Sequence, residues 1–128
     1  MRALLDTHAL LWWFADDPSL SPAARRFMAD TKNTIVVSAA SAWEIATKVR
    51  IGRLPSAAAL TSDFDGWLRQ AGFDHLAISL DHAIRAGQLP GPHKDPFDRM
   101  LIAQAQAENL PLVSNEELFD LYGIRRIW

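Results

Sequence analysis

The 128-residue chain contains no cysteine. That absence excludes disulfides, zinc sites built on thiolates and cysteine nucleophiles, and it suits a reducing cytoplasm. Long apolar runs are missing too: no segment reaches the roughly 20 apolar residues that a membrane span needs. The opening "MRALLDTHALLWWFADD" puts Arg2 before apolar residues, as a signal peptide would. Asp6 and His8 interrupt that run, however, and no small-residue cleavage site follows. The expectation is a soluble, unprocessed, cytoplasmic protein with no membrane partner. An excess of positive charge is also absent. The formal charge is −2, so any nucleic-acid contact must come from a local patch rather than a global basic field. Internal repeats, low-complexity tracts and long linkers are not found.

What is present suits one domain over residues 1–128, long enough to bury a core. Hydrophobic residues make up 49% of the chain and charged residues 22%, a globular balance. "RALLD" (Arg2–Asp6) and "NTIVVS" (Asn33–Ser38) are compact apolar runs, the pattern of strands buried on both faces of a parallel sheet. "HLAIS" (His75–Ser79), "LPLVS" (Leu110–Ser114) and "IRRIW" (Ile124–Trp128) are further strand candidates. Helix-length segments lie at His8–Ala15, Pro22–Asp30, Ala42–Ile51, Leu60–Ala71, Asp81–Gly87 and Pro96–Glu108. This alternation predicts a three-layer α/β/α sandwich around a central parallel sheet of about five strands.

Within that topology the acids are suggestively placed. In open α/β sheets, sites form beyond the carboxyl ends of the strands. Asp6 ends the first strand, Glu44 lies early in the helix after the second, Asp98 opens the helix before the fourth, and Glu116 follows the fourth. Each acid also has a local explanation. Asp6 could cap the helix near Thr7. Ser41 and Glu44 have capping-box spacing, and Glu44 could pair with Lys48. Asp95 reads as N-cap, Pro96 as first helical residue and Asp98 as an acid facing the helix dipole. Ser114 and Glu117 could form a second capping box. Local explanations predict no convergence in space. Gathered carboxylates repel unless they are protonated or share a cation, and a purely oxygen donor set selects Mg²⁺ or Mn²⁺.

"LLDTHALLWW", "VSAASAWEIATKVRIGRL", "LPGPHKDPFDRMLIAQA" and "PLVSNEELFDLYGIRRIW", in that order and covering nearly the whole chain, resemble the PIN-domain family, in particular the toxin ribonucleases of VapBC toxin–antitoxin modules. The resemblance implies a metal-dependent endoribonuclease with Asp6, Glu44, Asp98 and Glu116 as its catalytic, metal-binding acids. The fourth position departs from the family pattern, where an Asp is usual, so Glu117 or Asn115 could take its place. Ser114 stands where the family carries a hydroxyl near the site, and Thr7, Asp95 and Asn115 are further candidates for supporting it. The family's chemistry implies hydrolysis by metal-activated water, leaving 5′-phosphate and 3′-hydroxyl ends without use of a 2′-hydroxyl. It also implies an RNA substrate, a homodimer, and a cognate antitoxin covering the acidic pocket.

Lys48, Arg50 and Arg53 form a local basic patch for RNA, and His93, Lys94 and Arg99 are further candidates for phosphate contact. His8 reads either as a cleft residue or as a hydrogen-bonded structural histidine. Trp12, Trp13 and Phe14 divide between core and interface, whereas Trp43 and Trp67 are assigned to the core. The competing reading is a catalytically inactive RNA- or protein-binding module of the same fold. A haloacid-dehalogenase-like phosphotransferase is disfavoured because the Asp required two positions after Asp6 is His8. A receiver module is disfavoured because the lysine it needs near the fifth strand is missing.

Overall fold

The computed structural model describes all of residues 1–128. Five strands, β1 (Arg2–Leu5), β2 (Thr34–Ser38), β3 (Asp74–Leu76), β4 (Leu112–Val113) and β5 (Arg126–Ile127), form one sheet in the order β3-β2-β1-β4-β5. Every pairing is parallel. The helices are α1 (Thr7–Phe14), α2 (Pro22–Ala29), α3 (Ala39–Arg50), α4 (Ala58–Ser62), α5 (Phe64–Ala71), α6 (Leu80–Gln88) and α7 (Pro96–Glu108), with 3₁₀ turns at Pro55–Ala57 and Glu117–Tyr122.

The apolar strand runs are explained by burial on two faces. Ala3, Leu5, Ile35, Val37 and Val113 join one core, with Leu10 of α1, Met28 of α2, Ile45 of α3 and Leu68 of α5. The intervening Leu4, Val36 and Leu112 join a second core with Leu101, Ile102 and Ala105 of α7 and with Phe119. Alternate side chains of one strand thus feed opposite cores, so neither face carries a polar stripe. The predicted three-layer sandwich and its parallel sheet are both present.

Several boundaries differ from expectation. The segment Leu60–Ala71 is not one helix: Asp63 adopts φ −150° and ψ 61°, and its carboxylate accepts from the Gly66 N–H to start α5 afresh. The third strand lies at Asp74–Leu76, pairing with Val36–Ser38, rather than reaching Ser79. Ser79 instead caps α6 in a reciprocal arrangement with His82. The helix after β2 starts at Ala39, because Ser38, the last strand residue, also accepts from the Ala40 N–H as N-cap. The Ser41–Glu44 capping box that the spacing allows is therefore absent, and Ser41 lies buried inside the helix.

The sheet order reverses beside β1: the chain runs outward through β2 and β3, then returns to place β4 on the other side. A reversal of this kind opens a crevice at the carboxyl ends of the strands. α7 is aligned to that edge by Gln104, a fully buried amide. Its Oε1 accepts from the Ser38 hydroxyl, and its Nε2 donates to the Ala77 carbonyl at 3.3 Å.

The loop before α7 is pinned by Tyr122, whose hydroxyl accepts from the His93 N–H at 3.0 Å. Gly91 makes this approach feasible: its φ is +98°, and a Cβ there would lie 2.6 Å from the same hydroxyl. Gly91→Ala is expected to destabilise the protein by about 1–3 kcal/mol, from left-handed strain together with displacement of Tyr122. Urea denaturation in EDTA checks the magnitude.

Candidate active site

Asp6 follows β1 and Ser114 follows β4, so the two residues flank the reversal point of the sheet. The Ser114 hydroxyl donates to Asp6 Oδ2 at 2.7 Å, and both residues are buried. Asp6 is also the N-cap of α1, accepting from the His8 N–H at 3.4 Å. Burial pushes the Asp6 carboxyl up; the Ser114 hydrogen bond and nearby His8 oppose that shift, and the negative charge of Glu44 adds to it.

α3 brings in Glu44. It projects from the second turn and is only 3% exposed. Its Oε2 accepts from Lys48 Nζ at 2.6 Å, the expected i,i+4 pair, while its buried Oε1 has no hydrogen-bond partner. The start of α1 is tied to α3 by Thr7 Oγ1 and Ser41 Oγ, 2.8 Å apart and buried. Thr7 thus sets the distance between the elements carrying Asp6 and Glu44.

α7 brings in Asp98. The start of the helix follows the capping expectation: Asp95 Oδ1 accepts from the N–H groups of Phe97 and Asp98, and Pro96 opens the first turn. This frees the Asp98 carboxylate from capping, and it faces the other acids. Its pKa is raised from 3.8 to about 8, first by burial and then by the charges of Asp6, Asp95, Glu44 and Glu116. One carboxylate therefore feels all three other predicted site acids, a convergence that local capping alone does not provide. A strongly shifted carboxyl in a crevice at the strand ends is a marker of a functional site.

Glu116 N-caps the final 3₁₀ turn, accepting from the Leu118 N–H at 3.1 Å, and its own N–H donates to the Ser114 hydroxyl. The Ser114–Glu117 capping box is not formed. Asn115, Glu116 and Glu117 are all exposed, and of the three Glu116 is among the charges acting on Asp98.

A hard divalent cation fits this donor set in charge and chemistry, and the unpartnered Glu44 Oε1 leaves an oxygen available to it. As the side chains stand, no three acidic or imidazole groups form a ready-made metal shell. Three of the acids are turned toward donors within the protein instead: Ser114 for Asp6, Lys48 for Glu44 and the Leu118 N–H for Glu116.

Sequence reasoning missed the role of His93, which had been read as a phosphate contact in a loop. The ring is buried beside Phe119, and Nε2 lies 3.1 Å from Asp98 Oδ2, though not in hydrogen-bonding alignment. Arg99 is likewise engaged within the protein. Its guanidinium donates to the carbonyls of His93, Ala86 and Leu89, stapling the loop to α6. Lys48 is engaged with Glu44, whereas Arg50, Arg53 and Lys94 are exposed. The His8 side chain is exposed; its ring lies 5.7 Å from that of Trp12, tilted by 36°, with Nδ1 4.0 Å from Asp6. Trp43 and Trp67 are also not core residues, at 60% and 38% exposure.

Neutralising Asp98 should stabilise the metal-free protein. Between pH 3.8 and about 8 the folded state retains a proton that the unfolded chain releases, so stability declines as pH rises through that window. Asp98→Asn removes this slope, at the cost of a helix-dipole interaction of about 0.3–1 kcal/mol. In EDTA its melting temperature should exceed that of the parent by several degrees at pH 8 and lose the advantage near pH 4. Calorimetric scans across pH test this, and a lower melting point at pH 8 would return Asp98 to a capping role.

The family model described as "PIN domain" matches residues 3–124. Ribonuclease VapC16 of Mycobacterium tuberculosis is 42% identical over 62 residues, a match covering 48% of this chain and 43% of that protein. The chain thus aligns with less than half of that relative. Ribonuclease VapC22 of the same organism is 28% identical over 116 residues, covering 88% of this chain and 85% of that protein. The crystal structure of VapBC2 from Rickettsia felis, bound to a DNA fragment from its promoter, contains a chain with the same fold. It superposes with a TM-score of 0.71 at 20% identity, over 100% of both chains. With the family model spanning both edges of the acidic crevice, this chain belongs to the PIN-domain family.

Proposed function

We propose that residues 1–128 act as one PIN domain, the endoribonuclease toxin of a VapBC-type toxin–antitoxin pair, working in the cytoplasm with Mg²⁺ or Mn²⁺. The observation that carries this reading is the crevice at the strand ends, where buried Asp6 is held by the Ser114 hydroxyl and buried Glu44 keeps Oε1 without a partner. The Asp98 carboxyl, raised first by burial and then by the charges of Asp6, Asp95, Glu44 and Glu116, supports it. Likeness to two ribonucleases supports RNA as the substrate, and likeness to a VapBC structure supports an antitoxin partner.

Asp6, Glu44, Asp98 and Glu116 would hold the cation. When bound, it supplies Lewis acidity toward a phosphate oxygen and lowers the pKa of a water at the scissile bond. Ser114 fixes the rotamer of Asp6 and, by accepting from the Glu116 N–H, the approach of that acid as well. Thr7 and Ser41 hold α1 against α3, so Asp6 and Glu44 keep their separation. Lys48 pairs with one oxygen of Glu44 only, which leaves the other without a partner in the protein. Asp95 fixes the first turn of α7 and with it the direction of Asp98. The exposed Arg50, Arg53 and Lys94 would meet phosphates flanking the cleaved bond.

An antitoxin would enter the apolar groove between α1, α4 and α5, lined by Leu11, Trp12, Phe14, Leu54, Leu60 and Trp67. A homodimer would bury the exposed Leu80 and Ile84, one turn apart on α6.

Purified protein free of antitoxin should cleave RNA in Mg²⁺ or Mn²⁺ and stop in EDTA; activity that survives exhaustive chelation would rule the mechanism out. Glu116, not Glu117, is assigned as the fourth acid, because Glu116 is among the charges that raise the Asp98 carboxyl and its N–H is tied to the Ser114 hydroxyl. Calorimetric Mn²⁺ titration should show Glu116→Gln weakening binding by at least about tenfold, within the range of disturbed metal shells, with Glu117→Gln near the parent. The reverse order would move the assignment to Glu117.

A further inference from the structure

Trp43 is the largest exposed apolar side chain next to the acidic crevice. It directly precedes Glu44, yet it is 60% exposed and belongs to neither core cluster. Its ring packs edge-to-face on Phe97, with centroids 4.9 Å apart and planes at 76°. Phe97 directly precedes Asp98, is only partly buried, and also lies outside both cores. The aromatic pair therefore bridges the two helices that deliver Glu44 and Asp98, at the rim of the crevice. Trp12, Trp13 and Trp128, by contrast, pack against the larger core.

Leaving an indole in water forgoes its burial energy, and nothing in the fold requires it at this position. Edge-to-face packing restrains the indole, so a ligand stacking on it meets a ring already held in place. The surroundings narrow the class of ligand. Exposed cations at Arg50 and Arg53, further along the same chain segment, and at Lys94, before Asp95, suit a phosphate backbone running past the acids. Single-stranded nucleic acid combines such a backbone with free π-faces, whereas a duplex keeps its bases stacked on one another.

We propose that Trp43, steadied by Phe97, is a stacking subsite for an unpaired nucleobase of the RNA next to the scissile phosphate. The inference rests on the ribonuclease reading and deepens it: it names the side chain on which a base beside the scissile phosphate would stack. Trp43 would act through affinity and placement of the strand, leaving the chemistry at the acids unchanged.

The test uses the full chain carrying Asp98→Asn to block turnover, with a fluorescein-labelled single-stranded RNA in Mg²⁺ followed by anisotropy. Trp43→Ala should weaken binding about tenfold and Trp43→Phe far less, in line with the usual worth of one base–aromatic stack. An abasic site stepped along the RNA should weaken binding at one position, and that loss should vanish in the Trp43→Ala background. Losses that simply add, or RNA affinity unchanged by Trp43→Ala, would overturn the subsite. So would a loss of self-association or of antitoxin binding with RNA affinity intact, which would assign Trp43 to a protein interface. Failure of the ribonuclease reading is separately visible: the parent chain would then bind RNA with this dependence on Trp43 but leave it uncut in Mg²⁺ and Mn²⁺.

Discussion

The arrangement depends on a repulsion that the fold maintains. Parallel strands direct their carboxyl ends to one edge, and the order β3-β2-β1-β4-β5 opens a crevice there beside β1. Asp6, Glu44, Asp98 and Glu116 reach it from separate segments, and burial first, then the neighbouring charges, pushes the Asp98 carboxyl up to about 8. A set of like charges is tolerated only because the surrounding sheet and helices hold it in place. One-sided compensation is visible throughout: a hydroxyl for Asp6, a lysine for one oxygen of Glu44, and an imidazole beside Asp98. None neutralises the group as a whole, so the acids do not form a settled ion-pair network.

Much of the fold could be read from residues because the strongest signal, unbroken apolar runs in Arg2–Leu5 and Thr34–Ser38, has one economical explanation: burial on both faces. The weaker strands were harder. Leu112–Val113 and Arg126–Ile127 are two residues each, held by pairing with neighbours rather than by any pattern of their own. The break at Asp63 went unseen because an acid inside an amphipathic segment looks like an exposed helical residue. Only its backbone angles reveal that it restarts the helix. Ser38 was missed as a cap because it serves two elements at once, ending β2 and starting α3.

The candidate site divides in a similar way. Its acids were legible because each lies just after a strand or early in a helix, and chain order then fixes which edge they share. Their supports were not legible, since they depend on tertiary approach. Gln104 sits mid-helix and would ordinarily be taken for surface, yet it is fully buried and ties α7 to Ser38. Arg99 looked like a cation for RNA, but the loop folds its backbone carbonyls around the guanidinium. Trp43 was assigned to the core on hydrophobicity alone. Its 60% exposure and its edge-to-face contact with Phe97 place it outside both cores instead.

The most direct test of a shared electrostatic field is the ionisation of Asp98 itself. In metal-free protein, the ¹³C NMR signal of the Asp98 carboxyl carbon, followed against pH, should give a midpoint of about 8. Glu44→Gln or Glu116→Gln should each lower that midpoint, since each removes one contributing charge. A midpoint near 4 in the parent protein, unmoved by either substitution, would mean that the acids do not share a field and that the crevice is not a site built around them.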